Sequence, residues 1–353
     1  MIMRTLILSI SLLGALGLAQ AQHSAIVELP DSIAAAGATV KWVRKVPSYC
    51  EGPVSDAQGN LYFTEQKSGN DWPIWKINPS NPNDTGTIWG VPGFQSNGLT
   101  FDTQGRLIAA QKGRIARYLP DGKIDSVLVE SGKGATFGNS NDLSLGSDGS
   151  MYFTDLGNQV FYADAKRKLS VAATGFSGAN GVEFVPEAKA VYVFEVSKGQ
   201  ITLTDIQTNG TLTNSRLFAS VPSPDGGDLD IHGNWYVGSY SQGTVFVLNA
   251  KGIQIGKITF MLTSSPYDTR AGAQGNICNC HFGGSGNKTL FCTGDGGAYS
   301  FDLKIPGRAS LYSTPVNALI GAPRPPATKA TSGFRLDGRG IPLKAWTTRA
   351  FQF

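Results

Sequence analysis

The most regular feature of the chain is a turn followed by a short run of apolar and aromatic residues. It recurs as GNLYFTE (59–65), GRLIAAQ (105–111), GSMYFTD (149–155), KAVYVFE (189–195), GNWYVGS (233–239) and NKTLFCT (287–293). Successive starts are 46, 44, 40, 44 and 54 residues apart. Such runs, bounded by Gly, Asn and Asp, predict strands entered from tight turns. Further strand-like runs, ARYLPDGK and VFVLNAKG among them, fill the units, and convincing long helical periodicity is absent. Six units of this size with several strands each predict an all-β fold, a six-bladed β-propeller. A large sandwich or barrel is not expected to keep so even a period. Residues 25–46, with ATVKWVRKV, are expected to supply outer strands that close the ring with the last blade.

The ends of the chain read differently. MIMRTLILSISLLGALGLAQAQ places one Arg before an apolar run and then Ala19-Gln20-Ala21, the layout of a secretory signal peptide cleaved after Ala21. The expected organisation is a leader at 1–21, the propeller at 22–303, and a Pro- and Gly-rich extension at 304–353 that wraps it. A secreted or periplasmic protein follows, with no membrane attachment after cleavage. The 44 glycines and the 16% of charged residues fit a fold made of turns and strands. A net charge of +4, with scattered Lys and Arg, is too small for a nucleic-acid partner. Cys50, Cys278, Cys280 and Cys292 suit an oxidising compartment, and all three pairings stay open. The Cys278/Cys280 spacing is not the CxxC of a zinc site.

The candidate chemistry lies upstream of each turn. Eight positions before the unit starts stand Glu51, Asn97, Asn141, Asp225 and Asn279; nine before the fourth stands Asn180. Each is an acid or an amide. The first strand of a propeller blade lines the central channel, so one shared register makes a ring around the axis. All six side chains offer oxygen, which suits Ca²⁺, Mg²⁺ or Mn²⁺. Two carboxylates so placed repel unless a cation stands between them. Turn-forming Asn-Gly and Asp-Gly pairs are the plainer reading of any single member.

These residues carry a resemblance. EGPVSDAQGNLYFTE, NGLTFDTQGRLIAAQKGRIARYLPDGK, NSNDLSLGSDGSMYFTD, ANGVEF and PDGGDLDIHGNWYV resemble, in order, the gluconolactonase/regucalcin (SMP-30/LRE-like) family over roughly 45–303. The resemblance implies one divalent metal, most commonly Ca²⁺ with Mg²⁺, Mn²⁺ or Zn²⁺ as alternatives, held by Glu51, Asn141, Asn180 and Asp225. A second resemblance, to diisopropylfluorophosphatase, implies a deeper structural calcium at Asp228 and His281. There the chain departs from the pattern, because Asp295 stands where that enzyme has a channel histidine.

Hydrolysis of a cyclic ester needs a polarised carbonyl, an activated water and a stabilised oxyanion, and a divalent ion serves all three. Asp225 is the candidate base. No G-x-S-x-G occurs, and three histidines are too few and badly placed for a Ser-His-Asp site. Asn97, Gln111, Lys112, Arg114, Phe137, Asn139 and Asp295 are the candidate pocket residues for a small-molecule substrate. The expected activity is a metal-dependent lactonase on a sugar lactone. The alternatives are a phosphotriesterase on the same metal and a non-catalytic propeller that binds a ligand or partner.

Overall fold

The computed structural model describes residues 25–34, 37–90, 93–260 and 276–309. The predicted leader at 1–21 and most of the extension lie outside the described residues. The fold is an all-β propeller whose only helical pieces among those residues are two 3₁₀ turns, Pro186–Ala188 and Ser285–Asn287. No helix there is long and apolar enough to cross a membrane.

The hairpins follow from one local device. Asp56 Oδ1 accepts the backbone N–H groups of Gln58 and Asn60, both at 2.9 Å. Gly59 N–H returns to the Asp56 carbonyl at 3.0 Å, with Gly59 at φ +81°. Positive φ is cheap only for glycine, which is why the turn sequences carry it. The same pattern recurs at Asp102, Asp230 and, with an amide, Asn249, and at Asp164 with Arg167 at φ +69° in the glycine's place. A side-chain acceptor thus satisfies the donors that a tight turn strands.

Three sheets are plain four-stranded meanders. The first holds Leu99–Phe101, Leu107–Gln111, Arg114–Tyr118 and Ile124–Glu130. The second holds Ser140–Leu145, Met151–Asp155, Gln159–Ala163 and Leu169–Thr174. The third holds Ala179–Val185, Ala190–Glu195, Gln200–Ile206 and Leu212–Ser220. A fourth, Pro224–Leu229, Trp235–Ser239, Thr244–Leu248 and Gln254–Phe260, gains Ala25–Glu28 as its outer strand.

The expected count of six blades is corrected by the fifth sheet. Ile277–Gly283, Thr289–Asp302, Lys41–Ser55, Leu61–Gln66, Ile74–Ile77 and Thr87–Ile88 form one six-stranded sheet, so the described strands make five sheets. The cause is the length of two strands. Lys41–Ser55 pairs through Lys41↔Ser300 to Tyr49↔Asp295 on one side and Tyr49↔Gln66 to Ser55↔Leu61 on the other. The first and last repeat units thereby share one hydrogen-bonded ladder, which joins the two ends of the described chain.

The core sits between neighbouring sheets. Ile108, Ile115, Leu143, Met151, Phe153 and Phe161 pack as one cluster between the first two sheets. Tyr192, Phe194, Leu229, Trp235 and Val237 do the same between the third and fourth. Where the extension begins, it is tied down: Gly307 N–H donates to Asn287 O, Ile231 N–H to Pro306 O, and Arg308 N–H to Leu229 O.

Asp230 is fully buried and also accepts from Asn234 Nδ2 (2.8 Å) and the Tyr236 hydroxyl (3.2 Å). Asp230→Ala strands all four donors and is expected to cost about 3 kcal/mol in urea unfolding. A loss well under ~1 kcal/mol would show that the carboxylate does not organise its turn.

Candidate active site

The register residues are not turn formers. Glu51, Asn141, Asn180, Asp225 and Asn279 lie within strands, and Asn97 stands two residues before one. At each of the five strand positions the ladder slips. The irregular steps fall at Glu51/Val54, Ser140/Leu143, Ala179/Val182, Pro224/Gly227 and Ile277/Cys280. A bulge re-aims the side chain it contains, and all five bulges recur at one level. The glycines that follow have a packing reason. A Cβ on Gly52 would sit 2.4 Å from Asn97 O, on Gly98 2.8 Å from Asn141 O, and on Gly181 2.4 Å from Asp225 O. Inner strands approach too closely for any other residue.

The result is a cavity of about 570 Å³ lined by Glu51, Asn97, Asn141, Asn180 and Asp225, with Asn139 and Asp295 at its wall. Glu51, Asn97, Asn141, Asn180 and Asp225 are all buried. Asn97 Oδ1, Asn180 Oδ1 and Asp225 Oδ1 are buried with no hydrogen-bond partner among the described residues. Burial pushes the Glu51 carboxyl well above the usual carboxylate range, and the charge of Asp225 adds to this. Burial, then the charge of Asp142, pushes Asp225 up to about 7, while the Tyr49 hydroxyl pulls it back. Orphaned oxygens and two destabilised carboxylates form a donor set that fits a hard cation. Among the described residues no three His, Cys, Asp or Glu side chains cluster to hold an ion by themselves, so amide oxygens would have to complete the shell.

Other predicted positions separate. Asn279 leaves this cavity: its Oδ1 accepts Cys280 N–H (2.9 Å) and its Nδ2 reaches Asp142 (3.5 Å). Gln111 is fully buried, donating to Ser96 Oγ and the Tyr118 hydroxyl, both at 2.7 Å, and accepting from Arg114 Nε at 2.8 Å. The Arg114 guanidinium stacks on Phe94 at 3.3 Å. Neither Gln111 nor Arg114 is in the cavity wall; Gln111 is spent on cross-strand bonds that no spacing rule reveals. Phe137 packs in the core against Phe153 and Phe161, whereas Lys112 does line the cavity.

Tyr49 was missed in the sequence. It stands two positions before Glu51 on one strand, and its hydroxyl lies 3.5 Å from Asp225 Oδ2. Its ring meets Tyr240 edge-on at 5.9 Å. Burial raises its pKa well above 10, so it remains a neutral donor. Same-face alternation from Glu51 is the signal that points to it.

Asp228, three residues after Asp225, faces a separate chamber of about 100 Å³ with Asp142, Glu183, His281 and Arg308. His281 Nδ1 lies 3.4 Å from Asp228 Oδ2, which also accepts Phe282 N–H at 3.0 Å. His281 Nε2 is buried without a partner. Burial pushes Glu183 up to about 8 against the opposing charge of Arg308, which pairs with it. Thus the structure brings Asp228 and His281 together, and it sets a guanidinium from the extension beside them.

The family model described as the SMP-30/gluconolactonase/LRE-like region matches residues 49–295. The chain belongs to this family. A gluconolactonase of Zymomonas mobilis is 24% identical over 310 residues, covering 76% of this chain and 80% of its own. The lactonase drp35 of Staphylococcus aureus strain MW2 is 26% identical over 229 residues, covering 59% and 68%. Among solved structures, a gluconolactonase of Xanthomonas campestris superposes with a TM-score of 0.65 at 21% identity, covering 80% and 96%. A calcium-binding protein, regucalcin, of Agrobacterium tumefaciens does so with 0.61 at 15%, covering 76% and 96%. The family match begins at Tyr49 and ends at Asp295, so it takes in every residue of the register ring.

A carboxyl whose pKa is raised on folding binds protons more readily folded than unfolded. In chelator-treated protein the stability tied to Asp225 should therefore rise as pH falls from about 8 toward about 5. Asp225→Asn should remove part of that slope and stabilise the cation-free protein at pH ~8 by about 1–3 kcal/mol in urea unfolding. A slope unchanged by the substitution would place Asp225 in an environment no harsher than water.

Proposed function

We propose that this protein is a lactone hydrolase that uses a divalent cation, calcium first among the choices, held by Glu51, Asn141, Asn180 and Asp225. The observation that carries the reading is the set of buried oxygens without partners, Asn180 Oδ1 and Asp225 Oδ1 among them, on a cavity shared with Glu51 and Asn141. Lactonases among the chain's relatives support the reaction class. A bound divalent ion would supply Lewis acidity toward a carbonyl oxygen and lower the pKa of water.

The chain's own groups do the rest. Asp225 takes a proton from the attacking water through one carboxylate oxygen while the Tyr49 hydroxyl fixes the other. Amides of Asn97 and Asn139, with Lys112 and Asp295, give the wall a polar lining suited to a hydroxylated ring. Trp72, Tyr49 and Tyr240 add flat apolar faces, the usual complement to a sugar ring's C–H side. The cavity of about 570 Å³ is ample for a six-membered lactone.

The test is hydrolysis of D-glucono-1,5-lactone followed by proton release. Turnover above the spontaneous rate is expected with Ca²⁺, loss after EDTA, and recovery on adding back Ca²⁺ or Mn²⁺. Asp225→Asn should lower kcat by about 10²–10⁴-fold. No acceleration of any lactone by ion-loaded protein overturns the reading, and turnover of an organophosphate triester alone would transfer it to a phosphotriesterase.

Proton competition gives a further check. The cation needs Asp225 ionised, and in its absence the carboxyl titrates at about 7. Calcium affinity measured by calorimetry should fall as pH drops below that value, by about tenfold per pH unit for each proton displaced. Affinity that is flat between pH ~8 and ~5.5 would exclude Asp225 from the donor set.

A further inference from the structure

The four cysteines do not share one environment. Cys50, Cys278, Cys280 and Cys292 are all buried and reduced as described. Cys278 Sγ points at oxygen, donating to Cys50 O at 2.8 Å and lying 3.3 Å from Thr293 Oγ1. Cys280 and Cys292 face each other. They are direct partners in the antiparallel ladder between Ile277–Gly283 and Thr289–Asp302, and their sulfurs stand 3.0 Å apart. Both side chains are enclosed by the core cluster that also holds Tyr236, Phe282, Leu290 and Tyr299.

Cβ atoms of direct cross-strand partners lie about 4.5–5.5 Å apart, a little beyond the about 3.5–4.5 Å of a disulfide; with the two sulfurs already 3.0 Å apart, closing the bond to about 2 Å asks for a small approach of the two strands. We infer that Cys280 and Cys292 form a structural disulfide when the chain folds under oxidising conditions, while Cys50 and Cys278 stay thiols. Of the two bridges in any full pairing only this one then forms, and the inference does not rest on the lactonase reading.

The chemistry balances as thiol–disulfide exchange with an external disulfide donor such as oxidised glutathione. One cysteine thiolate attacks the donor, forming a mixed disulfide and releasing one donor thiolate. The second cysteine thiolate then attacks that mixed disulfide and releases the other. Two protein thiols are oxidised, the donor is reduced to two thiols, and the two cysteine protons end, through solvent, on the two released donor thiolates. Because both sulfurs are buried in the fold, the exchange belongs to folding and not to the finished protein.

The bridge would staple the strand that carries Asn279 and His281 to the strand that carries Asp295. One wall of each cavity would then be held by a covalent cross-link in addition to its ladder bonds.

The experiment uses the full chain, unfolded, reduced, and refolded in a glutathione redox buffer, then unfolded again, alkylated without reductant, and mapped by mass spectrometry. Cleavage after Arg270 and Lys288 puts Cys278 and Cys280 on one peptide and Cys292 on the next. The expected product is that pair of peptides linked and lighter by two hydrogen atoms, with fragmentation placing the link on Cys280 and with Cys50 and Cys278 alkylated. Wild type refolded under reductant should melt about 5 °C below wild type refolded in the glutathione buffer, while Cys280→Ser/Cys292→Ser should melt at one temperature after either refolding. Four alkylated cysteines, or a link through Cys50 or Cys278, overturns the inference; the mapping is done on wild type, so it stands even if the double variant does not fold.

Discussion

Everything at the centre of this molecule depends on the cost of burying oxygen atoms without donors. Glu51 and Asp225 are enclosed by protein, and burial is the first cause of the raised pKa of each. Around them Asn97 and Asn180 hold carbonyl oxygens that nothing among the described residues satisfies. A fold does not keep such a set for stability, because apolar residues of the same size would serve better. The proposed cation would offset both carboxylates and give the amide oxygens a partner.

The backbone makes that arrangement by repetition of small irregularities. A ladder slip at the same level in four inner strands turns Glu51, Asn141, Asn180 and Asp225 toward one cavity, while the fifth, at Asn279, does not. Glycines beside them let neighbouring strands approach until backbone nearly touches backbone. The residue that follows the slip in three of these strands, Glu183, Asp228 or His281, lines the smaller chamber, where Arg308 joins them. Asp225 and Asp228, three apart in sequence, consequently serve two different cavities.

The strap formed by the start of the extension links these parts. Residues 304–308 bond to Ile33, Leu229 and Asn287, and the last of them brings a guanidinium to the one chamber otherwise lined by three acids and an imidazole. In sequence this Arg is one of many scattered basic residues. Its charge matters only because Glu183 is buried beside it.

The sequence by itself determined the strand class, the turn positions and the identities of the oxygen ring, because a short apolar run entered from a turn and a fixed offset from it are local properties. It was legible enough to select Glu51, Asn141, Asn180 and Asp225 in one cavity, with Asn139 and Asp295 at its edge. It did not reveal that the first and last units merge into one sheet, since that depends on how far Lys41–Ser55 and Thr289–Asp302 extend alongside each other. Nor could it separate Gln111 and Arg114 from the cavity, or Phe137 from the core, because their partners come from other strands. Which face a side chain takes at a bulge, and which cysteine opposes which, are set by contacts between residues distant along the chain, and only the tertiary structure decides those.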